Sequence, residues 1–384
     1  MWGVAIQDPT PHIIDDVVAL DLQRQASARD YAARQRLLML AEVALSGILV
    51  VAFLISGGSR WLKLGLAAGL PSPWLMVAAY VAVATLAYTL ITAPLSWYGG
   101  YVLPHRYALS TQGLPGWISD ELKSLFLGMV LGIPVAEVVY WLLRSQPESW
   151  WLWAAIFLIL FAVLLGHLGP VLIVPLFYKL TPLRDPELLA RVARLAERTC
   201  TRVAGMYTIN LSSRSTAANA MVMGLGRTKR IALGDTLYTR YSPDEIETII
   251  AHELGHQVHH DLELGIAVQS LLLLAGMYVA HLFLAWGVRV FRFEGPGDIA
   301  ALPLLLLAVG LFSVVTLPLS NTYMRWREHL ADRFAVRTTG NRRAFIRAML
   351  RLANQNLAEA DPPRWVVWLL YSHPPIRDRV TAGE

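Results

Sequence analysis

From its amino terminus the chain alternates between long apolar runs and compact polar blocks. Runs near residues 37–57, 74–94, 124–143, 150–173, 264–288 and 299–320 carry few charges. Each has about the ~20 residues that a helix needs to cross ~30 Å of hydrocarbon. The pattern therefore predicts six transmembrane helices. A polar insert, residues 174–263, separates the fourth from the fifth, and a polar tail, residues 321–384, follows the sixth.

Inside the insert the periodicity changes. Leu188, Leu189, Val192, Leu195 and Ala196 recur at helical spacing, which predicts a helix over about 185–200. "GMYTINLS", "NAMVMGLGRTKR" and "RIALGDTL" are short β-prone stretches with a glycine-rich turn, read as a small sheet of two or three strands. "YSPDEIETIIAHELGHQVHHDL" opens with a strong helix start. Ser242 caps it, Pro243 suits the first helical position, and Glu245 stands where a capping box needs a carboxylate. A helix over 243–262 is expected, with Ile246, Ile249 and Ile250 on the buried face and His259 and His260 continuing it as polar residues.

Composition places this pattern in the membrane class. The 384 residues are 55% hydrophobic and 16% charged, against about 25% charged for a soluble domain. Residues 1–36 carry Asp15, Asp16, Arg24, Arg29, Arg34 and Arg36, and no small-residue cleavage site follows the first apolar run, so that run is expected to stay as an anchor. Lys and Arg concentrate in residues 1–36, in the insert (Lys179, Arg184, Arg191, Arg194, Arg198 and others) and in the tail. Positive segments stay cytoplasmic. The expected layout is a cytoplasmic segment 1–36; four membrane helices within 37–173 with a cytoplasmic loop near 95–123; a cytoplasmic catalytic domain, 174–263; a membrane hairpin, 264–320; and a cytoplasmic part, 321–384. This asymmetry accounts for the pI near 9.3, and no recognition motif accompanies it, so nucleic acid is not an expected partner. A single cysteine, Cys200, rules out an intramolecular disulfide and a cysteine-rich metal site. Any metal must use His and carboxylates.

His252 and His256, four residues apart on the expected helix, project from one face and can share one zinc ion. Glu253 stands beside them, where a carboxylate can take a proton from an attacking water. A catalytic zinc wants a third protein ligand. Position 262 is Leu, Glu263 lies nearly in line on the same expected helix, and Glu294 follows the fifth span and so falls on the opposite side of the membrane. Glu328 and Asp332, in "NTYMRWREHLADRFA", return to the side of the histidines. Glu328 is the expected third ligand, and Asp332 the expected acceptor that orients a ligand histidine. One zinc ion per chain follows.

These residues, "AHELGHQVHHD" with "EHLAD", resemble the Ste24-type integral membrane zinc metallopeptidases, the type I CAAX prenyl protease group of family M48. "HRYALSTQGLPGWISDELK", "VPLFYKLTPLRDPEL", "AANAMVMGLGRTKRIALGDTL" and "SHPPIRDRV" extend the resemblance over about residues 100–380. It implies an all-α polytopic membrane protein of six to seven spans, a helical barrel around a water-filled chamber, with a small zincin-like α+β catalytic domain at the cytoplasmic end. It also implies that Asn219, His373 and Arg379 hold the substrate backbone or the oxyanion, and that the substrate is a prenylated C-terminal peptide. The family usually carries seven spans, against six here. Alternatives are a quality-control protease of the same clan, or a non-catalytic membrane scaffold or transporter. No internal repeat of the kind common in transporters is visible.

Overall fold

The computed structural model describes residues 19–224 and 229–383. Residues 1–18 of the expected cytoplasmic segment 1–36, and most of the glycine-rich turn after "NAMVMG", lie outside these described residues. α1 (Leu22–Ile55) starts where Asp21 accepts the N–H of Gln23 and of Arg24 at 2.9 and 3.0 Å, a capped helix start. The short α2 (Gly58–Ala67) follows, then α3 (Pro73–Trp97), which runs through a π turn into α4 (Leu103–Arg106). α5 (Leu114–Ser145) and α6 (Trp150–Leu172) complete this half, and α7 (Val174–Phe177) leads into the polar insert.

The insert contains β1 (Leu180–Pro182), α8 (Pro186–Arg198), β2 (Met206–Ile209), β3 (Ala220–Met223), β4 (Arg230–Gly234), α9 (Asp235–Tyr238) and α10 (Pro243–Val258). α11 (Asp261–Phe291) and α12 (Leu302–Thr339) form the second membrane hairpin, and α13 (Arg342–Gln355), α14 (Arg364–Leu370) and α15 (Ile376–Gly383) close the chain. Among the described residues, six helical stretches are long and apolar enough to cross a membrane, and they coincide with the six predicted runs.

The six spans form a ring. α1 packs against α3 and α12, α3 against α5, α5 against α6, α6 against α11, and α11 against α12. Burial along them is uneven. α3 buries Val77 and Tyr80, α5 buries Val139 to Leu143 in part, α6 buries Trp150, Ala154 and Ala155, and α11 buries residues between Gly276 and Gly287. All of these lie at the end of the ring away from the polar insert. There they form one apolar cluster with Leu304, Leu305 and Ala308 of α12. The helices converge at that end, which forms the floor of the ring.

Polar contacts lock the floor. Tyr80 OH donates to Ser59 Oγ at 2.6 Å, and Ser59 in turn donates to the Ala300 carbonyl at 2.5 Å. Lys63 of α2 reaches Glu294 at 2.8 Å and Asp298 at 3.0 Å. Asp298 also accepts the backbone N–H of Ala300 at 3.0 Å and of Glu294 at 3.2 Å. Glu294 thus sits at the end opposite the polar insert, as its sequence position predicts.

At the other end, the insert and the tail share one apolar core, in which Leu188, Val192 and Leu195 of α8 meet Ile231 and Leu233 of β4, Ile246, Ile249 and Ile250 of α10, and Phe345 and Met349 of α13. The sheet has the order β1-β2-β4-β3, with β2 and β4 parallel and the other pairs antiparallel. It therefore has four strands rather than two or three. β1 escaped the sequence pattern because three residues ending in Pro182 cannot show an alternation.

The helix expected over 185–200 is Pro186–Arg198. The helix expected over 243–262 begins as predicted, with Ser242 and Glu245 in a reciprocal capping box. It ends sooner, however. His260 adopts the left-handed conformation, φ 54°, and breaks the run, so His259 and His260 do not continue α10. Glu263 consequently belongs to α11 and is not in line with His256.

Asp298→Ala would leave the Ala300 and Glu294 N–H groups without their acceptor and take one of two carboxylates from Lys63, at about 1–3 kcal/mol for an unsatisfied buried group. The variant is expected to lower the thermal unfolding midpoint of the detergent-solubilised protein. An unchanged midpoint would show that the floor does not depend on this hub.

Candidate metal centre

α10 and α12 supply the centre, and their close approach decides its geometry. A Cβ at Gly255 would stand 3.2 Å from Ala331 Cα and 3.1 Å from the Phe334 ring. A glycine here lets the two helices meet. His252 and His256 then face Glu328 across the contact. His252 Nε2 and His256 Nε2 are 3.2 Å apart, and each lies 3.4 Å from a Glu328 carboxylate oxygen. One donor atom from each residue falls within 4.8 Å of the others.

This donor set fits a cation. Two neutral imidazoles and one carboxylate are a common catalytic zinc ligand set. Glu328 Oε2 is buried without a hydrogen bond of good geometry, although His373 Nδ1 lies 3.0 Å away. A buried carboxylate oxygen left in this state calls for positive charge. Burial pulls the His252 pKa down, but the adjoining Asp332 and Glu328 carboxylates outweigh it and lift it to about 9.

A surrounding set of charges holds these donors. His252 Nδ1 lies 2.9 Å from Asp332 Oδ1, off the line of a good hydrogen bond. Arg379 grips the same carboxylate twice, through Nε at 2.9 Å and Nη2 at 2.6 Å. On the other histidine, the Nδ1 of His256 pairs with Asp261 Oδ2 at 2.7 Å. Asp261 is held by Arg327, whose Nε donates at 2.6 Å and whose Nη2 also reaches the His259 carbonyl at 2.7 Å. Arg327 and Arg379 are thus used one on each supporting carboxylate. Arg325, by contrast, donates to the carbonyls of Val367 and Tyr371, at 2.8 and 2.5 Å, away from the acidic pair.

The remaining predicted residues occupy distinct places. Glu253 is half-buried; burial raises its pKa against the lowering fields of His252 and His256, and its carboxyl accepts a backbone hydrogen bond from Val222 of β3. Asn219 is exposed immediately before β3, with its carbonyl accepting the Gly234 N–H at 2.8 Å. It is brought to the sheet rather than into contact with the donor triad. His373 is largely exposed, in the segment between α14 and α15. The Arg379 guanidinium is buried on Asp332, close behind His252. Asp261 and Arg327 were missed. The signal that would have found Asp261 is the helix break at His260, because only a turn there brings residue 261 back to His256.

Residues 182–383 match peptidase family M48, and residues 6–179 match the CAAX prenyl protease N-terminal region, described as five membrane helices. This chain belongs to peptidase family M48. It is a multi-pass membrane metalloprotease, and that family implies a bound metal. The chain is 34% identical over 363 residues to an uncharacterized metalloprotease, YhfN, of Bacillus subtilis, covering 94% of this chain and 85% of that one. It is 29% identical over 313 residues to CAAX prenyl protease 1 of Saccharomyces cerevisiae, covering 77% and 69%. The crystal structure of Ste24p from S. mikatae has the same fold, with a TM-score of 0.84, 24% identity and coverage of 96% and 92%. Where the N-terminal family region has five membrane helices, this M48 chain has four candidate spans among its described residues, and the ten-residue α2 lies between the first two.

Asp261→Ala removes the acceptor that orients His256. Losing such a partner typically costs about 10- to 100-fold in metal affinity, and that loss is expected in competition with a chelator. Unchanged affinity would show that Asp261 does not orient a ligand.

Proposed function

We propose that this chain is a zinc endopeptidase that trims the C-terminal end of prenylated, CAAX-type peptides at the cytoplasmic face of a membrane. The observation that carries the reading is the convergence of His252, His256 and Glu328 beside the Glu253 carboxyl, next to the edge strand of a small sheet. His252, His256 and Glu328 hold one zinc ion, with Asp332 and Asp261 orienting the two imidazoles. When bound there, zinc supplies Lewis acidity for the scissile carbonyl and makes water more acidic.

The other steps belong to the chain itself. Glu253, with a raised pKa and a backbone anchor on Val222, takes the proton of the attacking water and passes it to the leaving nitrogen. His373 extends from an exposed segment to the edge of the triad, where it donates to the oxyanion, an interaction of a kind worth about 3 kcal/mol. Arg379 acts through Asp332, supporting the charge of the centre, and Asn219 contacts the peptide where it enters β3. The substrate itself lies extended along the free edge of β3, adding a strand to the sheet.

The two polar blocks, 174–263 and 321–384, work as one catalytic unit, with segment 1–36 beside it and the spans of 37–173 and 264–320 as its membrane frame. The shared apolar core of α8, α10 and α13 supports this division. The cytoplasmic placement is supported by the Lys and Arg concentrated at this end of the ring. The relatives named as CAAX prenyl proteases support the substrate class.

Glu253→Gln is expected to abolish peptide cleavage while leaving zinc content unchanged; retained turnover would remove the proposed proton carrier. Comparison of a farnesylated with an unmodified peptide tests the substrate. Preferred cleavage of the farnesylated one is expected, and equal rates would favour a general membrane-protein protease over the CAAX reading.

A further inference from the structure

His373 reaches the donor triad from residues 371–375, the stretch between α14 and α15. Two prolines, Pro374 and Pro375, follow it, and both are buried. A proline at 374 confines the His373 backbone to extended conformations. What remains to be fixed is the chain just before it, at Tyr371 and Ser372.

α12 fixes that chain. Asn321, Arg325, Glu328 and Asp332 follow one another at helical spacing and so share one stripe of the helix. The last carbonyls of a helix have no partner within it, and side chains of this stripe take those of α14. Asn321 Nδ2 donates to the Leu369 carbonyl at 2.8 Å. Arg325 Nη1 donates to the carbonyls of Val367 and Tyr371 at 2.8 and 2.5 Å, while its Nη2 donates to Thr322 Oγ1 at 2.7 Å. One turn further along α12, Glu328 Oε2 lies 3.0 Å from His373 Nδ1. Another turn on, Asp332 takes the Arg379 guanidinium. The tail thus runs beside α12 and is tied to it turn by turn, with His373 between the Arg325 and Asp332 ties.

We propose that Arg325 is a positioning residue for peptide cleavage: it grips the Tyr371 carbonyl from the helix that carries Glu328, and so sets where the His373 imidazole stands against the metal centre. This rests on the peptidase reading above. A guanidinium suits the task because its planar donors keep a fixed direction, whereas a lysine ammonium swings on a flexible stem. Tyr371 has a second hold. Its side chain hydrogen-bonds to Arg36 of α1 and to Glu359, which are themselves paired at 2.7 Å. Loss of Arg325 therefore displaces the segment without releasing it.

The test is a double-mutant cycle on the full chain in detergent, using whichever of a farnesylated and an unmodified quenched peptide the native protein cuts. Turnover is scored per bound zinc, so that unfolded protein does not count. His373→Ala is expected to lower kcat about 100-fold, the scale for removing one oxyanion donor. Arg325→Ala is expected to lower kcat about tenfold, with KM within about twofold and zinc retained, because it misplaces a group that acts in the transition state. In the His373→Ala background the same change is expected to cost less than about twofold, since the group it positions is gone. Should Arg325→Ala yield no zinc-loaded protein, Arg325→Lys carries the same cycle with a smaller expected loss.

Equal losses from the Arg325 substitution with and without His373, or an effect confined to KM or to zinc content, overturn the proposal and leave the peptidase reading standing. Unchanged kcat in His373→Ala overturns it together with the oxyanion role of His373. Native protein that holds zinc and cuts neither peptide overturns both the proposal and the peptidase reading.

Discussion

The site depends on how closely α10 and α12 approach. Gly255 leaves no side chain between the helices, and the Ala331 and Phe334 positions on α12 fill the gap. A side chain at 255 would move His252 and His256 away from Glu328 as a rigid unit, since all of the proposed ligands ride on these two helices. Overpacking of this kind typically costs about 1–3 kcal/mol. Its larger consequence here is geometric, because a shift of ~1 Å is large against metal–ligand tolerances of about 0.2 Å.

Around that contact the charges are arranged in opposed pairs. Arg379 on Asp332 and Arg327 on Asp261 keep two buried carboxylates ionised and aimed at the two imidazoles. Without these arginines each carboxylate would be a buried charge facing only a histidine, which is costly. The same pairs tie distant segments together, since Arg379 comes from α15, Asp332 and Arg327 from α12, and Asp261 from the start of α11. The metal centre is therefore also the junction of the membrane hairpin and the C-terminal tail.

The membrane ring and the polar unit divide the labour by where they bury surface. The spans pack tightly only at the floor, and the polar unit has its own core at the other end. Much of this was legible in the sequence. Six runs of the right length announced the spans, and the spacing of His252, Glu253 and His256, with Glu328 and Asp332 one helix away in the chain, announced the donor set. Other parts were hidden for physical reasons. β1 is too short to show a period, and the end of α10 is set by a left-handed histidine where the usual glycine stop signal is absent. The role of Asp261 depends on that break. The hold of Arg325 was invisible because its partners, the Val367 and Tyr371 carbonyls, have no side-chain signature and lie far away in sequence. Arg379 was linked to the site by resemblance, but its buried pairing with Asp332 needed the fold.

The central claim is that two imidazoles and one carboxylate from α10 and α12 bind a single zinc ion. X-ray absorption at the zinc edge of the detergent-purified protein tests it most directly. The account predicts a zinc signal with two imidazole nitrogens and oxygen neighbours at about 2.0–2.2 Å, and no sulfur shell. Absence of zinc, or a spectrum with fewer than two imidazoles, would contradict it.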